Sequence, residues 1–431
     1  MKDLIQELSW RGLLKNITPG LIEKSKKRPI TLYVGFDPTA DSLHIGNLLP
    51  ILLLIHFERA GHHPIAVLGG ATGMIGDPSG KSSERKLLDK DLIEHNIQCL
   101  KEQLSRLLYI KSSKIRLLNN YDWISPLSFI EFVRDVGKHF TINYMLSKDS
   151  IKKRFNPESP KKGMSFTEFT YQLLQGYDFY HLYKNENCLL QIGGSDQWGN
   201  IVTGIELIRK KTSGTAYGLT FPLVTKSDGT KFGKSKVEGN IWLDAKRTSP
   251  YIFFQFWMNI SDDEAIRFIK MYTLLPIEEI DQLIEEHKKA PNKRILQQIL
   301  AKEITQWIYS TEYYNKSVYA SKFLFNNNLI ASLKDLDKKT FISIFEGVPR
   351  ATIFMEDLLK GVSIIEVLTE KSGFFSSKGE ARRSLKEKSI SVNHQKVDEN
   401  FTLSKIHIIA ERYILLKKGK KKYLILEATE S

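Results

Sequence analysis

The sequence predicts an α/β fold: a parallel sheet in its first half, a helical region after it, and a small basic α+β unit at its end. Three observations predict this. A strand–helix–strand unit opens at residue 30, glycine-rich turns follow three of the expected strands, and positive charge gathers beyond residue 353. Ile30, Leu32, Val34 and Phe36 alternate with Thr31, Tyr33 and Gly35, the period of a buried strand. A helix is expected from about 47 to 60 and stops at Gly61; PIAVL at 64–68 is the next strand. Such a right-handed βαβ unit opens a parallel sheet whose nucleotide sites lie at the strand ends.

Bulk composition narrows the function. The chain has 431 residues, 42% hydrophobic and 26% charged, ordinary for a globular protein of roughly two to four domains. Its net charge of +14 suggests a polyanionic partner. Two cysteines, Cys99 and Cys188, are too few for a disulfide framework or a metal cluster, which fits a reducing compartment. The most apolar run, LLPILLLIHF at 48–57, is too short to span a bilayer, and the N-terminus carries acidic residues and no signal-peptide core. A cytoplasmic protein without membrane contact is expected.

Taken in order, Leu4, Ile5, Leu8 and Trp10 form one helical stripe. After the strand at 30–36, Asp37-Pro38 turns the chain, and a polar loop brings His44, Ile45, Gly46 and Asn47 to a helix N-terminus. Free N–H groups and the positive dipole end there suit a polyphosphate; taken alone, the stretch reads equally as a polar loop whose His44 is a satisfied surface group. Pro50 is tolerated in the first helical turn. GGATGMIGDPSGK at 69–81 has the composition of a phosphate loop but lacks P-loop spacing, which rejects a Walker-type NTPase. A helix near 91–108 follows. Residues 119–147 are aromatic-rich and weakly helical, and serve either as core or as an apolar subunit interface.

Within SFTEFTYQLLQGYDFYHL, at 165–182, Tyr171, Gln175 and Asp178 share one helical face. Taken alone the trio reads more readily as a solvated face than as a site for a small polar molecule. CLLQI at 188–192 is another buried strand running into GGSDQWGN, where Asp196 is placed to accept ribose hydroxyls. A short strand at 219–225 precedes KSDGTKFGKSK, whose lysines on a glycine-hinged loop could capture a leaving polyphosphate or be plain surface. Ser261 and Glu264 form a capping box, S-x-x-E, and helices are expected at 276–289, 291–309 and 311–324. Residues Lys371 to Lys422 hold 14 basic and 5 acidic residues, a surplus of +9. A helix there carries Lys378, Arg382, Arg383, Lys386 and Lys388, which suits contact with a phosphate backbone.

The order of these motifs, HIGN after the first strand, GGSDQWGN midway and KFGKS on a late loop, then helices and a basic end, resembles the bacterial tyrosyl-tRNA synthetases over nearly the whole chain. HIGN is similar to the HIGH signature of class I enzymes and KFGKS to their KMSKS signature. The resemblance implies a Rossmann-like parallel-sheet catalytic domain at 1–225, a mobile signature loop and linker at 226–248 and an α-helical domain at 249–330. A linker at 331–352 and an S-four-like RNA-binding module at 353–431 would follow. It implies L-tyrosine activation with Mg-ATP, transfer to tRNA, no prosthetic group, no protein-held metal and a homodimer.

Residue by residue, the resemblance puts Tyr33 and Asp178 on the substrate phenol, and Asp77, Tyr171 and Gln175 around its amino group with Gln191 close by. His44 and Asn47, supported by Thr39, contact phosphate. Gly35, Asp37, Gly46, Asp196 and Gln197 complete the ATP site. Lys231, Lys234 and Ser235 belong to the mobile loop, Lys81 and Arg85 lie near departing pyrophosphate, and Lys378, Arg382, Arg383 and Lys386 meet RNA. Asn47 and Pro50 depart from the family pattern; an amide at 47 still donates one hydrogen bond. Tryptophanyl-tRNA synthetase, a tRNA-independent nucleotidyltransferase and a non-catalytic RNA-binding protein are the competing readings.

Overall fold

In the computed structural model of the chain the described residues are 3–27, 29–79, 87–148, 151–152, 163–225, 234–235, 239–325, 342, 345, 347–419 and 422–430. They form two compact units: Met1–Asp244 with Ile260–Leu300, and Ala245–Asn259 with Ala301–Ser431. The expected helical region is therefore divided between the two units.

The first unit is built on a six-stranded sheet. Its strands are β1 (Asn16–Ile17), β2 (Thr31–Phe36), β3 (His63–Leu68), β4 (Arg116–Asn119), β5 (Cys188–Gly194) and β6 (Tyr217–Phe221), in the order β1-β6-β5-β2-β3-β4. All neighbours are parallel except β1, which runs antiparallel to β6. The order reverses between β2 and β5, and such a switch point opens a crevice at the carboxyl ends of the strands. The helix Leu48–Arg59 is buried at every residue from Leu48 to Phe57, which explains a sequence apolar on all sides. Strand β4 was not expected: RLLN is too short to show a period. The strand expected to reach 225 ends at Phe221, before Pro222, which has no N–H for the ladder.

The helix Phe166–Glu186 starts at Ser165, whose side chain accepts from the Glu168 N–H, and ends at Asn187 with φ +51°. It lies against the helix Trp198–Thr212 where glycines permit close approach. A Cβ on Gly204 would stand 2.9 Å from Phe179 Cβ, and one on Gly176 3.3 Å from Thr203 Cγ2. The capping box of Ser261 and Glu264 is present on Asp262–Tyr272. The helix expected from 291 begins at Ile295, because Pro291–Lys293 forms a 3₁₀ turn and Arg294 adopts φ +53°. A short antiparallel pair, β7 (Lys234–Ser235) and β8 (Gly239–Asn240), marks the late loop.

The second unit contains β9 (Arg350–Phe354), β10 (Val362–Ser363), β11 (Ile390–Val392), β12 (Gln395–Lys396), β13 (Thr402–Leu403), β14 (Tyr413–Lys418) and β15 (Lys422–Thr429). Five of them form a sheet ordered β12-β11-β14-β15-β9, and β10 pairs with β13. Residues 350–352, expected as linker, belong to β9, because their backbone pairs in parallel with β15. Alternation along β14 sends Ile414 and Leu416 to a core with Leu358, Val367, Ala381 and Leu385. Tyr413 and Leu415 go to a second core with Tyr251, Ala320 and Phe345. The helix Lys378–Lys386, capped by Ser377, covers the first of these cores and exposes Arg382, Arg383 and Lys386.

Candidate active site

A cavity of about 250 Å³ opens in the first unit where β2 and β5 diverge. Tyr33, Gly35 and Asp37 reach it from β2 and the turn after it, and Gln191, Gly193, Gly194 and Gln197 from β5 and the turn that follows. Tyr171, Gln175 and Asp178 reach it from the helix Phe166–Glu186, and Thr39, His44, Asn47, Pro50 and Asp77 from loops and the start of the Leu48–Arg59 helix. Among the described residues, its two chain neighbours aside, no atom lies within 4 Å of where a Gly35 Cβ would be, so bare backbone faces the opening.

At the inner end Tyr33 is 2% exposed and, among the described residues, its hydroxyl has no hydrogen-bond partner. Burial, then the charge of Asp178, pushes its phenol well above the ordinary tyrosine range, so it stays neutral. Asp178 is buried and accepts from Trp123 Nε1 at 2.8 Å on one oxygen and from Asn120 Nδ2 at 3.0 Å on the other. Burial raises its carboxyl to about 7 against the pull of those two bonds. Each carboxylate oxygen can accept a second hydrogen bond. A hydroxyl without a partner near a carboxylate with spare capacity therefore fits a ligand group that both donates and accepts.

The middle of the cavity is lined by acceptors. Tyr171 donates to Asp37 Oδ2 at 2.8 Å, Thr72 Oγ1 donates to Asp37 Oδ1 at 2.7 Å, and Asn120 Nδ2 reaches Thr72 Oγ1 at 3.0 Å. Asn120 thereby ties the two carboxylates into one network. Gln197 Nε2 donates to Asp77 Oδ2 at 2.6 Å, and Asn200 Nδ2 holds Gln175 Oε1 at 2.8 Å. Gln191 Oε1 is buried and has no partner among the described residues. Carboxylates and carbonyl oxygens gathered this way suit an ammonium group.

At the other end His44 Nδ1 accepts from the Gly46 N–H at 3.0 Å, which puts the proton of a neutral ring on Nε2. Asn47 Oδ1 accepts from the His44 N–H at 3.0 Å, leaving the amide nitrogen to donate. These bonds cap the 3₁₀ turn Ile45–Asn47, and a Cβ on Gly46 would come within 2.8 Å of the His44 ring. Donors of this kind beside a helix start suit phosphate oxygens.

Gly46 and Asp196 border the cavity without lining it: the Gly46 N–H serves the His44 ring, and Asp196 sits on the turn Ser195–Gln197. Lys81, Arg85 and Lys231 lie outside the described residues, and Lys234 and Ser235 are described only as β7 backbone. Lys378, Arg382, Arg383 and Lys386 are in the second unit. Sequence reasoning missed Asn120, Trp123, Thr72 and Asn200. Each acts on another side chain through a contact between distant segments; Thr72 and Asn200 lie in the glycine-rich stretches at 69–81 and 193–200, and Asn120 and Trp123 in the aromatic-rich stretch from 119, but nothing in those stretches marks them as partners of site residues.

The chain is similar to known proteins along nearly its whole length. Residues 24–326 match the family described as tRNA synthetases class I (W and Y), and residues 340–426 match the tyrosine–tRNA ligase SYY-like C-terminal domain. The chain is 54% identical to the tyrosine–tRNA ligase of Flavobacterium johnsoniae over 99% of both chains. It is 50% identical to that of Bacteroides fragilis over 99% of this chain and 100% of the relative. A C-terminally truncated mitochondrial tyrosyl-tRNA synthetase from Aspergillus nidulans superposes with a TM-score of 0.67 at 31% identity, covering 75% of this chain and 95% of that one. A tryptophanyl-tRNA synthetase from Encephalitozoon cuniculi, at 14% identity and a TM-score of 0.52, covers 72% of this chain and 86% of its own and shares the fold. The chain belongs to the class I tyrosyl-tRNA synthetase family.

Proposed function

We propose that the cavity holds L-tyrosine with its phenol between Tyr33 and Asp178 and its carboxylate toward His44 and Asn47. The reaction is that of the family. Tyrosine is joined to its tRNA with ATP as co-substrate. A tyrosine carboxylate oxygen attacks the α-phosphorus, the bond to the β-phosphate bridge breaks, and pyrophosphate leaves. A ribose hydroxyl of the tRNA 3′-terminal adenosine then attacks the activated carbonyl and releases AMP.

The observation that carries the assignment is the buried Tyr33 hydroxyl, without a partner among the described residues and close enough to Asp178 to feel its charge. A substrate phenol accepts from Tyr33 and donates to Asp178. Phenylalanine would leave the Tyr33 hydroxyl unpaired and Asp178 with only its bonds from Asn120 and Trp123, a penalty that supports discrimination of about 10⁴–10⁵ without editing. The ammonium group is taken by Asp77, Gln175, Gln191 and Tyr171, the last held by Asp37. His44 Nε2–H and the Asn47 amide, with Thr39 beside them, stabilise charge on the phosphates, and no covalent nucleophile is required. Gly35, Gly46 and Gln197 approach the nucleotide, and Asp196 takes the ribose. Lys231, Lys234, Ser235, Lys81 and Arg85 are assigned to the departing pyrophosphate from their motif positions. Mg²⁺ enters with ATP, whose phosphates and a few waters supply its oxygen ligands.

Phe129, Ile130, Val133 and Ile142, 46–76% exposed on the helices Phe129–Asp135 and Ile142–Leu146, support a homodimer. The basic helix of the second unit supports a role in binding tRNA, and two free cysteines support a cytoplasmic setting. Among the described residues no helix is long and apolar enough to cross a membrane. Pyrophosphate exchange into ATP, run with tyrosine, tryptophan and phenylalanine, tests the cavity assignment. Exchange is expected with tyrosine alone; equal exchange with phenylalanine would overturn the roles of Tyr33 and Asp178.

A further inference from the structure

We propose that His181 is a positioning residue for tyrosine recognition that acts through Trp123. This rests on the assignment of Asp178 to the substrate phenol. Trp123 supplies one of the two hydrogen bonds that orient Asp178. The indole projects from a helix of only four residues, Tyr121–Ile124, is partly exposed, and packs on its inner side against the core that holds Tyr33, Phe179 and Leu182. Its face is covered by the His181 imidazole, with ring centroids 4.7 Å apart and planes 9° from parallel.

Asp178 and His181 are three residues apart on the helix Phe166–Glu186 and so lie on one face of a single rigid element. That element presents a carboxylate to the edge of the indole and an imidazole to its face. Two contacts at right angles fix both the tilt of the indole and the line of its N–H. The imidazole is fixed in turn. Asn185 Nδ2 donates to the His181 carbonyl oxygen at 2.9 Å and lies 3.2 Å from His181 Nδ1. A carbonyl oxygen can only accept, so the amide nitrogen is the atom facing the ring, Nδ1 accepts, and the proton of the neutral imidazole is on Nε2. The chain Asn185, His181, Trp123, Asp178 thus runs from the surface to the buried carboxylate. Its sequence sign, a histidine one turn beyond Asp178, is invisible without the position of Trp123.

The test is pyrophosphate exchange by the full chain. His181→Ala is expected to raise KM for tyrosine about two- to tenfold, the range a stacked aromatic pair supports, with KM for ATP unchanged. His181→Phe keeps a flat ring over the indole and should stay within about twofold of the natural chain. In a Trp123→Phe background, where no indole N–H remains, His181→Ala should add nothing. An unchanged KM for tyrosine in His181→Ala, or an equal rise in the Trp123→Phe background, would overturn the proposal. Asp178→Asn separates the two levels. If it raises KM for tyrosine while His181→Ala does not, only the positioning role fails; if it does not, the cavity assignment fails with it.

Discussion

Asp178 is held under two opposing influences. Burial favours its neutral form, while Asn120 and Trp123 favour its carboxylate, and the balance leaves it at about 7. A tyrosine phenol donating to it favours the carboxylate further, so binding lowers its proton affinity. Tyrosine affinity should fall as pH drops below about 7, by up to about tenfold per unit, with proton release that calorimetry in buffers of different ionisation enthalpy would detect. The opposite sign holds for the empty protein. A carboxyl raised above its ordinary 3.8 favours the fold at low pH, and that contribution is lost as pH rises toward 7. The difference in Tm between Asp178→Asn and the natural chain should therefore change across this window, in favour of the asparagine variant at its upper end. Tyr33 separates binding from stability in another way. Its hydroxyl, without a partner among the described residues, is a cost in the empty protein, so Tyr33→Phe should stabilise the ligand-free fold by up to about 1 kcal/mol while weakening tyrosine binding about five- to tenfold. Thermal melts with and without tyrosine would show the two effects with opposite signs.

At the level of elements, the site depends on how closely two helices approach. Gly204 lets the helix Trp198–Thr212 press against Phe179, one residue beyond Asp178, with no room for a methyl group. Gly204→Ala should cost about 1–3 kcal/mol through overpacking and raise KM for tyrosine, because the displaced helix carries Tyr171, Gln175 and Asp178. Urea unfolding with unchanged m-value and a lower midpoint would confirm the first part. The same pair of helices shows what was legible in sequence. Strand β2, the apolar helix after it and the strand–glycine–helix passage at 188–212 were readable because period, turn chemistry and motif agreed. Tyr171, Gln175 and Asp178 were readable as one face but not as a buried one, since helical spacing does not say what a face meets. Strand β4, Asn120 and Trp123 were not readable. A four-residue edge strand has no period, and hydrogen bonds that orient a site residue from behind depend on segments more than fifty positions apart.

For the whole molecule, two surfaces remain beyond the cavity. Ile130 is 76% exposed and its helix neighbour Val133 46% exposed, an apolar patch that a second copy would cover. Ile130→Glu should shift the sedimentation coefficient from dimer toward monomer; a natural chain that sediments as a monomer would refute the assembly. The basic helix calls for a finer test than removal of residues 353–431. Within its unit, Tyr413, Leu415, Tyr423 and Ile425 pack with Tyr251, Ala320 and Phe345, so a cut at 353 would strip those three of core partners and confuse misfolding with weakened RNA binding. Arg382 and Arg383 are exposed on the helix Lys378–Lys386, while Ala381 and Leu385 fill the core beneath, so the arginines can be changed without touching the packing. Arg382→Gln with Arg383→Gln should raise KM for tRNA and lower the salt dependence of tRNA binding by about two in log–log slope, one for each phosphate no longer neutralised. Tyrosine-dependent pyrophosphate exchange should be unaffected, because the cavity proposed for that step is lined by the first unit. An unchanged salt slope would mean that the positive charge of this unit serves solubility and that tRNA is held elsewhere.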